Sequence, residues 1–375
     1  MKRDIGFGSI GQFRQAITTV SQRARYTGKD ENDEPIYDKH IKLPTLTFTA
    51  TEKIHGSNAS VCFSNADGFW VQSRENIITP EKDNFGCAAW CEGNKDIWMN
   101  LIDIFATEYN IDLDNNIISI FFEWCGGGIQ KKSAVSSLDK RAIMFQHFKV
   151  SPLVRTETPD PNAPDPNAYW LETALNTDKT AGPNGEAIHF ADNDANIFNI
   201  MLFPHYEFEI DFEQPKMCQN KMVEQVIEIE TNSPVGKKFG VDGNVGEGVV
   251  CTAMFKDKLI RFKIKGEKHS ASKVKTLKPV DEAKEQIKID FVNEFACTAS
   301  RLEQAWDKTF AVGATDEIKP VVEKTGDFLR NVITDVMKEE SDIMEERGID
   351  KSINGTISKV ARGWFMEQLD KEAGL

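Results

Sequence analysis

The apolar residues of this chain change their spacing near residue 280. Before that point they alternate with polar residues in short runs, as in 46–50 and 59–63, and period two predicts strands. After Pro279 they recur every three or four positions, which predicts amphipathic helices. We therefore expect an α+β fold: a β-rich domain of antiparallel sheets with flanking helices over 1–278, then a small all-helical domain over 279–375.

Within this plan, local patterns predict individual elements. Asn65-Ala66-Asp67-Gly68 predicts a hairpin turn, and residues 87–109 carry helix-like spacing. The repeated Pro-Asp-Pro-Asn-Ala unit in 156–168 predicts an exposed loop, because proline excludes both helix and central strand. Apolar runs predict four further strands, at 116–122, 142–148, 247–250 and 259–264.

Composition narrows the class of protein. The chain has no apolar run of the roughly 18 residues that a membrane span needs. Its seven cysteines are irregularly spaced, which is typical of reduced thiols, so we expect a cytoplasmic protein. The net charge of −14 argues against a general nucleic-acid coat protein. Residues 255–279 nevertheless hold nine lysines and arginines against two acids, which is either a solvated basic face or a polyanion site.

Lys53 is the candidate nucleophile. It lies in Thr51-Glu52-Lys53-Ile54-His55-Gly56-Ser57-Asn58, a short polar segment between two predicted strands. A lysine that is partly desolvated and surrounded by charges can act as a nucleophile. A surface lysine remains the simpler explanation for the segment taken alone.

Further charged side chains stand at strand ends downstream. Arg74 follows one strand and could grip a phosphate or ribose. Glu123 closes an apolar strand, where a carboxylate needs a partner: a structural cation, a ribose or a metal ion. Glu247 begins another strand. Lys263 and Lys265 share one face of a strand, which predicts either an anion between them or a basic sheet edge.

Two other patterns have ordinary explanations. Phe145 lies in an apolar run and is either a core residue or a ring that stacks on a base. The stretch from Gly6 to Gly11 matches G-x-G-x-x-G, but no βαβ pattern surrounds it, so a dinucleotide fingerprint is not predicted.

Taken in order, Lys53-x-His55-Gly56, Ser73-Arg74, Phe122-Glu123 with Gly128-Ile129-Gln130, Phe145, Glu247-Gly248 and Lys263-x-Lys265-x-x-Lys268-x-Ser270 resemble the motifs of the RNA ligase 2 family. These are phage double-strand RNA ligases, related to kinetoplastid RNA-editing ligases, of the covalent nucleotidyltransferase superfamily. The resemblance covers about residues 45–275. It implies a nucleotidyltransferase (adenylation) fold for the first domain. It also implies ATP and Mg²⁺ as cofactors and RNA with 3′-hydroxyl and 5′-phosphate ends as substrate.

The resemblance also implies roles for single residues. Lys53 would carry AMP, and Glu247 would orient a metal ion or its water. Residues of the RNA-end steps would be His55, Asn58 and Gln130. The nucleotide-binding residues would be Glu52, Ile54, Arg74, Glu123, Phe145, Lys263 and Lys265. A monomer that seals nicks in duplex RNA, in a host cytosol if phage-encoded, is expected.

One position departs from the family pattern, and two alternative functions remain open. Thr252 stands five positions after Glu247, where the family commonly has lysine, so one nucleotide contact is in doubt. A DNA ligase or a capping-type nucleotidyltransferase shares the chemistry but usually appends a barrel of short strands, which is not predicted after residue 280. A non-catalytic nucleic-acid-binding protein on a ligase fold is the alternative from another class.

Overall fold

A computed structural model describes residues 2–74, 76–158, 164–173, 191–192, 195–242, 245–266, 279–312, 316–317 and 320–372. These residues form two compact units. The first comprises Met1–Ser21 and Thr45–Lys278, and the second comprises Gln22–Pro44 and Pro279–Leu375. The segment 22–44, which the sequence analysis placed in the first domain, thus groups with the helices that follow residue 279.

Strands dominate the first unit and helices the second. The strands are β1 Gly11–Gln12, β2 Tyr26–Lys29, β3 Pro35–Tyr37, β4 Thr45–Glu52, β5 Ser57–Ser64, β6 Gly68–Ser73, β7 Ile77–Ile78, β8 Asn116–Cys125, β9 Arg141–Met144, β10 His147–Pro152, β11 Tyr169–Glu172, β12 Ala191–Asp192, β13 Ile197–Asn199, β14 His205–Asp211, β15 Gly248–Phe255, β16 Lys258–Lys265, β17 Ala311–Val312 and β18 Asp316–Glu317. The helices are α1 Phe13–Arg25, α2 Cys87–Gly93, α3 Lys95–Glu108, α4 Gln219–Thr231, α5 Pro234–Lys238, α6 Glu282–Phe291, α7 Ala299–Phe310, α8 Thr325–Glu339, α9 Ser341–Glu346 and α10 Asn354–Glu372.

Two sheets build the first unit. The smaller has the order β1-β16-β15-β4-β14, and the larger runs β12-β13-β9-β8-β5-β6-β7, with β10 and β11 continuing from β8. Most neighbouring strands are antiparallel, as the sequence predicts. The pairs β1 with β16 and β13 with β9 are parallel. The mixed α+β architecture with antiparallel sheets and a helical C-terminal region is confirmed.

The alternation along β8 places its side chains on two different faces. Ile118, Ile120 and Phe122 pack in the core formed with α2 and α3, where the Trp98 ring stacks 5.2 Å from that of Phe122. Ile117 and Phe121 point the other way, toward Phe7 of the N-terminal segment. Because side chains alternate with period two, Glu123 belongs to this second face.

A tight turn fixes the register of β15 and β16. Lys256 and Asp257 both have positive φ, at 47° and 60°, and Phe255 pairs with Lys258 across them. Two successive residues with positive φ are typical of the hairpin turns whose twist matches that of the strands. The predicted hairpin at 65–68 is confirmed as well, since Ser64 pairs with Gly68.

Helices and a small amount of strand build the second unit. Phe291, Leu302, Phe328, Val332 and others on α6, α7, α8 and α10 form its apolar core. The predicted helical domain, 279–375, also contains one short strand pair, β17 with β18. The pair of β2 with β3 belongs to the other stretch of this unit, 22–44. No helix in the part of the chain that the structure describes combines the length and apolar character needed to cross a bilayer.

The structure corrects three local predictions. The helix over 87–109 is two helices, α2 and α3, separated at Asn94, whose side chain donates to the Trp90 carbonyl. The strand over 142–148 is interrupted, because the carbonyls of Phe145 and Gln146 accept hydrogen bonds from Thr173. The 156–168 loop is not wholly exposed, since Asp165 is buried and accepts from the Thr156 amide; residues 159–163 lie outside the described residues.

Gly248 provides a test of the packing of β15 against β16. Its φ is +137°, and an added Cβ would lie 2.1 Å from the Ile264 carbonyl oxygen. We expect Gly248→Ala to lower the free energy of unfolding by about 2–4 kcal/mol, because strain and overpacking combine. Denaturant titration followed by tryptophan fluorescence measures this. The control is Gly363→Ala on α10, where a Cβ meets nothing within 4 Å; equal stability of both variants would contradict the packing.

Candidate active site

Lys53 lies immediately after β4, in the first turn beyond the strand. Its amide donates to the Gly248 carbonyl, 2.8 Å away, so the turn is fixed to the start of β15. Its Nζ lies 2.6 Å from Glu247 Oε2, and its side chain is 20% exposed. The predicted nucleophile is therefore held at a carboxylate and still reachable from solvent.

Three basic side chains contact the Glu247 carboxylate. Besides Lys53, it contacts His55 Nδ1 at 3.2 Å and Lys265 Nζ at 2.5 Å, while only 3% of its side chain is exposed. Burial alone would raise the pKa of Glu247, but hydrogen bonds from His55, Lys53 and Lys265 hold it well below its usual range. The carboxylate is thus ionised at neutral pH.

Lys263 and Lys265 project from one face of β16, as the sequence predicts. Ile264 between them is buried in the sheet core. Burial, then the charges of Lys265, Lys53 and Arg74, lowers the pKa of Lys263. Ammonium groups gathered in this way favour an anion between them, because each lowers the cost of the negative charge. Lys268 and Ser270 of the same motif lie outside the described residues.

Glu123 faces the same space from β8. Its Oε1 accepts a hydrogen bond of 3.0 Å from the Gly56 amide. Burial raises the pKa of Glu123 to about 7, against the opposing charge of Lys53. Gly56 is required there, since a Cβ would lie 2.4 Å from the Trp124 carbonyl oxygen. Asn58 pairs with Glu123 across the strands, and its buried Oδ1 has no hydrogen-bond partner among the described residues.

One pocket brings most of the predicted site residues together. Those that line it are Glu52, Lys53, Ile54, Asn58, Arg74, Glu123, Phe145 and Lys263. His55 and Lys265 are joined to this group through Glu247. Gln130 is not among the residues that line this pocket; its Nε2 lies 3.5 Å from the Gly56 carbonyl oxygen. The sequence therefore identified a set of residues that the fold assembles in one place.

Glu52 differs from the other residues of this set in its contacts. Its Oε1 accepts from Ser233 Oγ at 2.6 Å and its Oε2 accepts from the Val235 amide at 2.9 Å. Both oxygens thus anchor β4 to the start of α5. Its role in nucleotide binding stays a prediction.

A sequence profile of the RNA ligase family matches residues 46–265, more than half of the chain. The chain belongs to the RNA ligase family. The match spans β4 through β16 and so includes Lys53, Glu123, Glu247 and Lys263. It is to the family as a whole, and membership of the RNA ligase 2 subgroup stays a prediction.

Solved structures with similarity to this family member share little sequence with it. An RNA ligase of Naegleria gruberi with PPi is 12% identical, with a TM-score of 0.36 over 71% of this chain and 57% of that chain. An archaeal ATP-dependent RNA ligase is 11% identical, with a TM-score of 0.30 over 99% of this chain and 67% of that chain. This chain thus corresponds to little more than half of the Naegleria protein. Comparison with curated proteins found no match.

Sequence reasoning missed one side of the pocket of this RNA ligase family member. Its residues are Phe7, Gly8, Ser9, Ile10, Gln146, His147, Trp170 and Arg261. Of these, only Arg261 carried a usable signal, because it shares the face of β16 with Lys263 and Lys265. Phe7, Gly8, Ser9 and Ile10 belong to the G-x-G-x-x-G stretch, so part of that stretch lines this pocket.

The raised pKa of Glu52 predicts a pH-dependent stability. Burial raises this pKa from 4.5 to about 7, so folding favours the protonated form. The associated stability is present below about pH 4.5 and is lost as pH rises through about 7. Between pH 4.5 and 8, we expect the free energy of unfolding to fall by on the order of 3 kcal/mol more in the wild-type chain than in Glu52→Gln.

Unfolding free energies from denaturant titrations at several pH values measure this difference. Glu209→Gln is the matched control, since Glu209 is exposed on β14 of the same sheet. It should follow the wild-type profile. Parallel profiles for wild type and Glu52→Gln would show that Glu52 does not carry the effect.

Proposed function

We propose that the chain is an ATP-dependent RNA ligase that joins 3′-hydroxyl and 5′-phosphate ends, acting on nicks in duplex RNA. The observation that carries the proposal is the Lys53 ammonium, held 2.6 Å from Glu247 beside Lys265 and lining one pocket with Lys263. A nucleophilic amine among cations fits attack on a phosphate, because the cations neutralise charge on the phosphate oxygens. Membership of the RNA ligase family supports this direction.

The first transfer would join Lys53 to AMP. After the Lys53 ammonium has released a proton to solvent, Nζ attacks the α-phosphorus of ATP and loses a second proton to solvent as the phosphoramidate forms. The phosphorus–nitrogen bond forms, and the bond from this phosphorus to the bridging oxygen breaks, so pyrophosphate leaves. Lys263 and Lys265 would stabilise the charge on the α-phosphate oxygens, and Phe145 would pack on the base.

Two further transfers would complete sealing. An oxygen of the RNA 5′-phosphate attacks the phosphorus of the lysyl adenylate. The phosphorus–nitrogen bond breaks, and Nζ takes up a proton from solvent as Lys53 leaves. The 3′-hydroxyl then attacks the 5′-phosphate phosphorus, loses its proton and displaces AMP. We assign Asn58, His55 and Gln130 to these RNA-end steps. The Oδ1 of Asn58 is buried and has no hydrogen-bond partner among the described residues, so it can accept a hydrogen bond from the RNA.

A divalent cation fits this site only together with the nucleotide. Among the described residues, no group of three or more His, Cys, Asp and Glu side chains is placed to hold a metal ion. Mg²⁺ commonly binds through one or two carboxylates plus substrate phosphates, and Glu247 is the carboxylate proposed for it. When bound, Mg²⁺ would neutralise phosphate charge.

Label transfer from nucleotide to protein tests the nucleophile. We expect the full chain to take covalent label from α-labelled ATP on a denaturing gel, and Lys53→Ala to take none. Label from GTP alone would indicate a capping-type enzyme. Absence of label from either nucleotide would favour a non-catalytic binding protein.

Sealing of a nicked duplex RNA tests the surrounding charges. Lys263→Ala and Glu247→Ala should each lower the sealing rate by about 10²–10³, because each removes a positioned charge. Lys258→Ala is the matched control: Lys258 is exposed on the same strand, on the opposite face from Lys263. Wild-type sealing by both site variants would place the active site elsewhere.

Substrate form is tested with the same wild-type protein. Nicked RNA, nicked RNA–DNA hybrids, nicked DNA and single-stranded RNA are compared at equal concentration. The proposal expects the fastest sealing on nicked duplex RNA. Faster sealing of nicked DNA would identify a DNA ligase instead.

A further inference from the structure

Arg261 extends the basic row of β16 into the part of the pocket that motif reasoning missed. It stands two residues before Lys263 on the same face of the strand, and it pairs directly with Thr252 of β15. Arg261, Thr252 and Lys263 all line the pocket. With about 3.3 Å per residue, Arg261 lies roughly 6.6 Å along the strand from Lys263, the lysine proposed to bind the α-phosphate.

The guanidinium of Arg261 contacts two aromatic rings that are nearly perpendicular to each other. Its Cζ lies 4.2 Å from the Phe7 ring centroid and 4.6 Å from that of Trp170. Its Nη2 donates a hydrogen bond of 2.7 Å to the Phe7 carbonyl. The two cation–π contacts and this hydrogen bond hold the guanidinium in place, so its remaining donors point in defined directions.

One of these donors is left over. Arg261 Nη1 is buried and has no hydrogen-bond partner within the part of the chain that the structure describes. A buried charged donor without an acceptor costs free energy. Burial lowers the pKa of Arg261 to about 10, and no carboxylate of the described residues offsets this effect. An acceptor from a bound molecule would remove this cost.

The surroundings indicate which part of a nucleotide comes here. The lysines at the other end of the pocket suit phosphate, whereas this end has the rings of Phe7, Phe145 and Trp170 and the polar groups of Gln146 and Thr252. Aromatic walls with a few fixed polar groups are typical of sites that bind a planar heterocycle.

We propose that Arg261 Nη1 donates a hydrogen bond to a ring nitrogen of the purine base of the bound nucleotide. This contact makes Arg261 a base-binding residue of the site, and the inference rests on the proposed function for the presence of a nucleotide. The family resemblance leads us to expect a lysine at position 252, where this chain has threonine. Arg261 pairs with Thr252 across the strands and so places a cation beside that position.

Binding of AMP tests the contact without any covalent step, because AMP has no pyrophosphate to lose. We expect Arg261→Met to bind AMP about tenfold to a hundredfold more weakly than the wild-type chain, as for loss of a hydrogen bond to a charged group. The 1-deaza, 3-deaza and 7-deaza analogues of AMP each lack one ring nitrogen. One of them should bind the wild type with a similar loss and bind Arg261→Met as well as AMP does. Calorimetry or equilibrium dialysis gives the dissociation constants.

Control variants separate this contact from a structural role. Lys149 Nζ donates to the Gly6 carbonyl at 3.0 Å and lies 5.7 Å from the Trp170 ring, so it anchors the same N-terminal segment without being one of the pocket residues. Lys149→Met should therefore bind AMP like the wild type. Arg261→Lys keeps a positive charge beside the two rings and should fold. It should nevertheless lose discrimination among the analogues, because lysine lacks the second NH2 group of the guanidinium.

Several outcomes would overturn the inference. Unchanged AMP binding by Arg261→Met would do so, as would equal losses for every analogue in both proteins. An equal loss in Lys149→Met would assign the effect to a displaced N-terminal segment. A loss with α,β-methylene-ATP but not with AMP would place Arg261 on the outer phosphates. Retained discrimination in Arg261→Lys would also contradict the contact.

The same data distinguish this inference from the proposed function. Covalent labelling by ATP without the Arg261-dependent analogue pattern would leave the ligase proposal intact and reject the base contact. The analogue pattern without covalent labelling would support the contact and reject ligation. A wild-type chain that binds no AMP would reject both.

Discussion

The charged centre of this protein depends on the Glu247 carboxylate. A carboxylate that is 3% exposed is costly to bury unless it is paired, and here Lys53, His55 and Lys265 all contact it. The three partners come from the turn after β4 and from the end of β16, while Glu247 itself immediately precedes β15. The register of one sheet therefore sets the geometry of the site, and the tight turn at Lys256 and Asp257 contributes to that register.

Two carboxylates near Lys53 have opposite electrostatic character. Hydrogen bonds from three basic groups keep the pKa of Glu247 low despite its burial, whereas burial raises the pKa of Glu123 to about 7. The two pKa values differ because the carboxylates have different partners. Glu123 accepts a hydrogen bond from a backbone amide, whereas Glu247 forms ion pairs with ammonium groups. Groups separated in this way can serve different purposes at one pH. Glu247 therefore stays negatively charged at neutral pH. The protonation of Glu123 instead depends on the charge of the molecule that binds in the pocket.

The sequence predicted those parts of the site that lie on regular strands. Lys263 and Lys265 follow from period two, and Glu123 follows from the end of an apolar strand. The interruption at Phe145 and Gln146 was not predictable, because it depends on hydrogen bonds to Thr173, which is distant in sequence. The anchoring of Glu52 by Ser233 and Val235 likewise arises from a tertiary contact with no local pattern. The same applies to the wall formed by Phe7 and Trp170.

The second compact unit is built from two stretches far apart in the chain, Gln22–Pro44 and Pro279–Leu375. His40 shows the connection, since its Nε2 lies 2.8 Å from Asp370 Oδ2 on the last helix. During synthesis on a ribosome, the early ribbon of β2 and β3 therefore leaves the exit tunnel long before the helices that it joins. Truncation after residue 278 would remove the helices with which β2 and β3 form one compact unit. A fragment that retains both stretches is therefore the better starting point for isolating the helices.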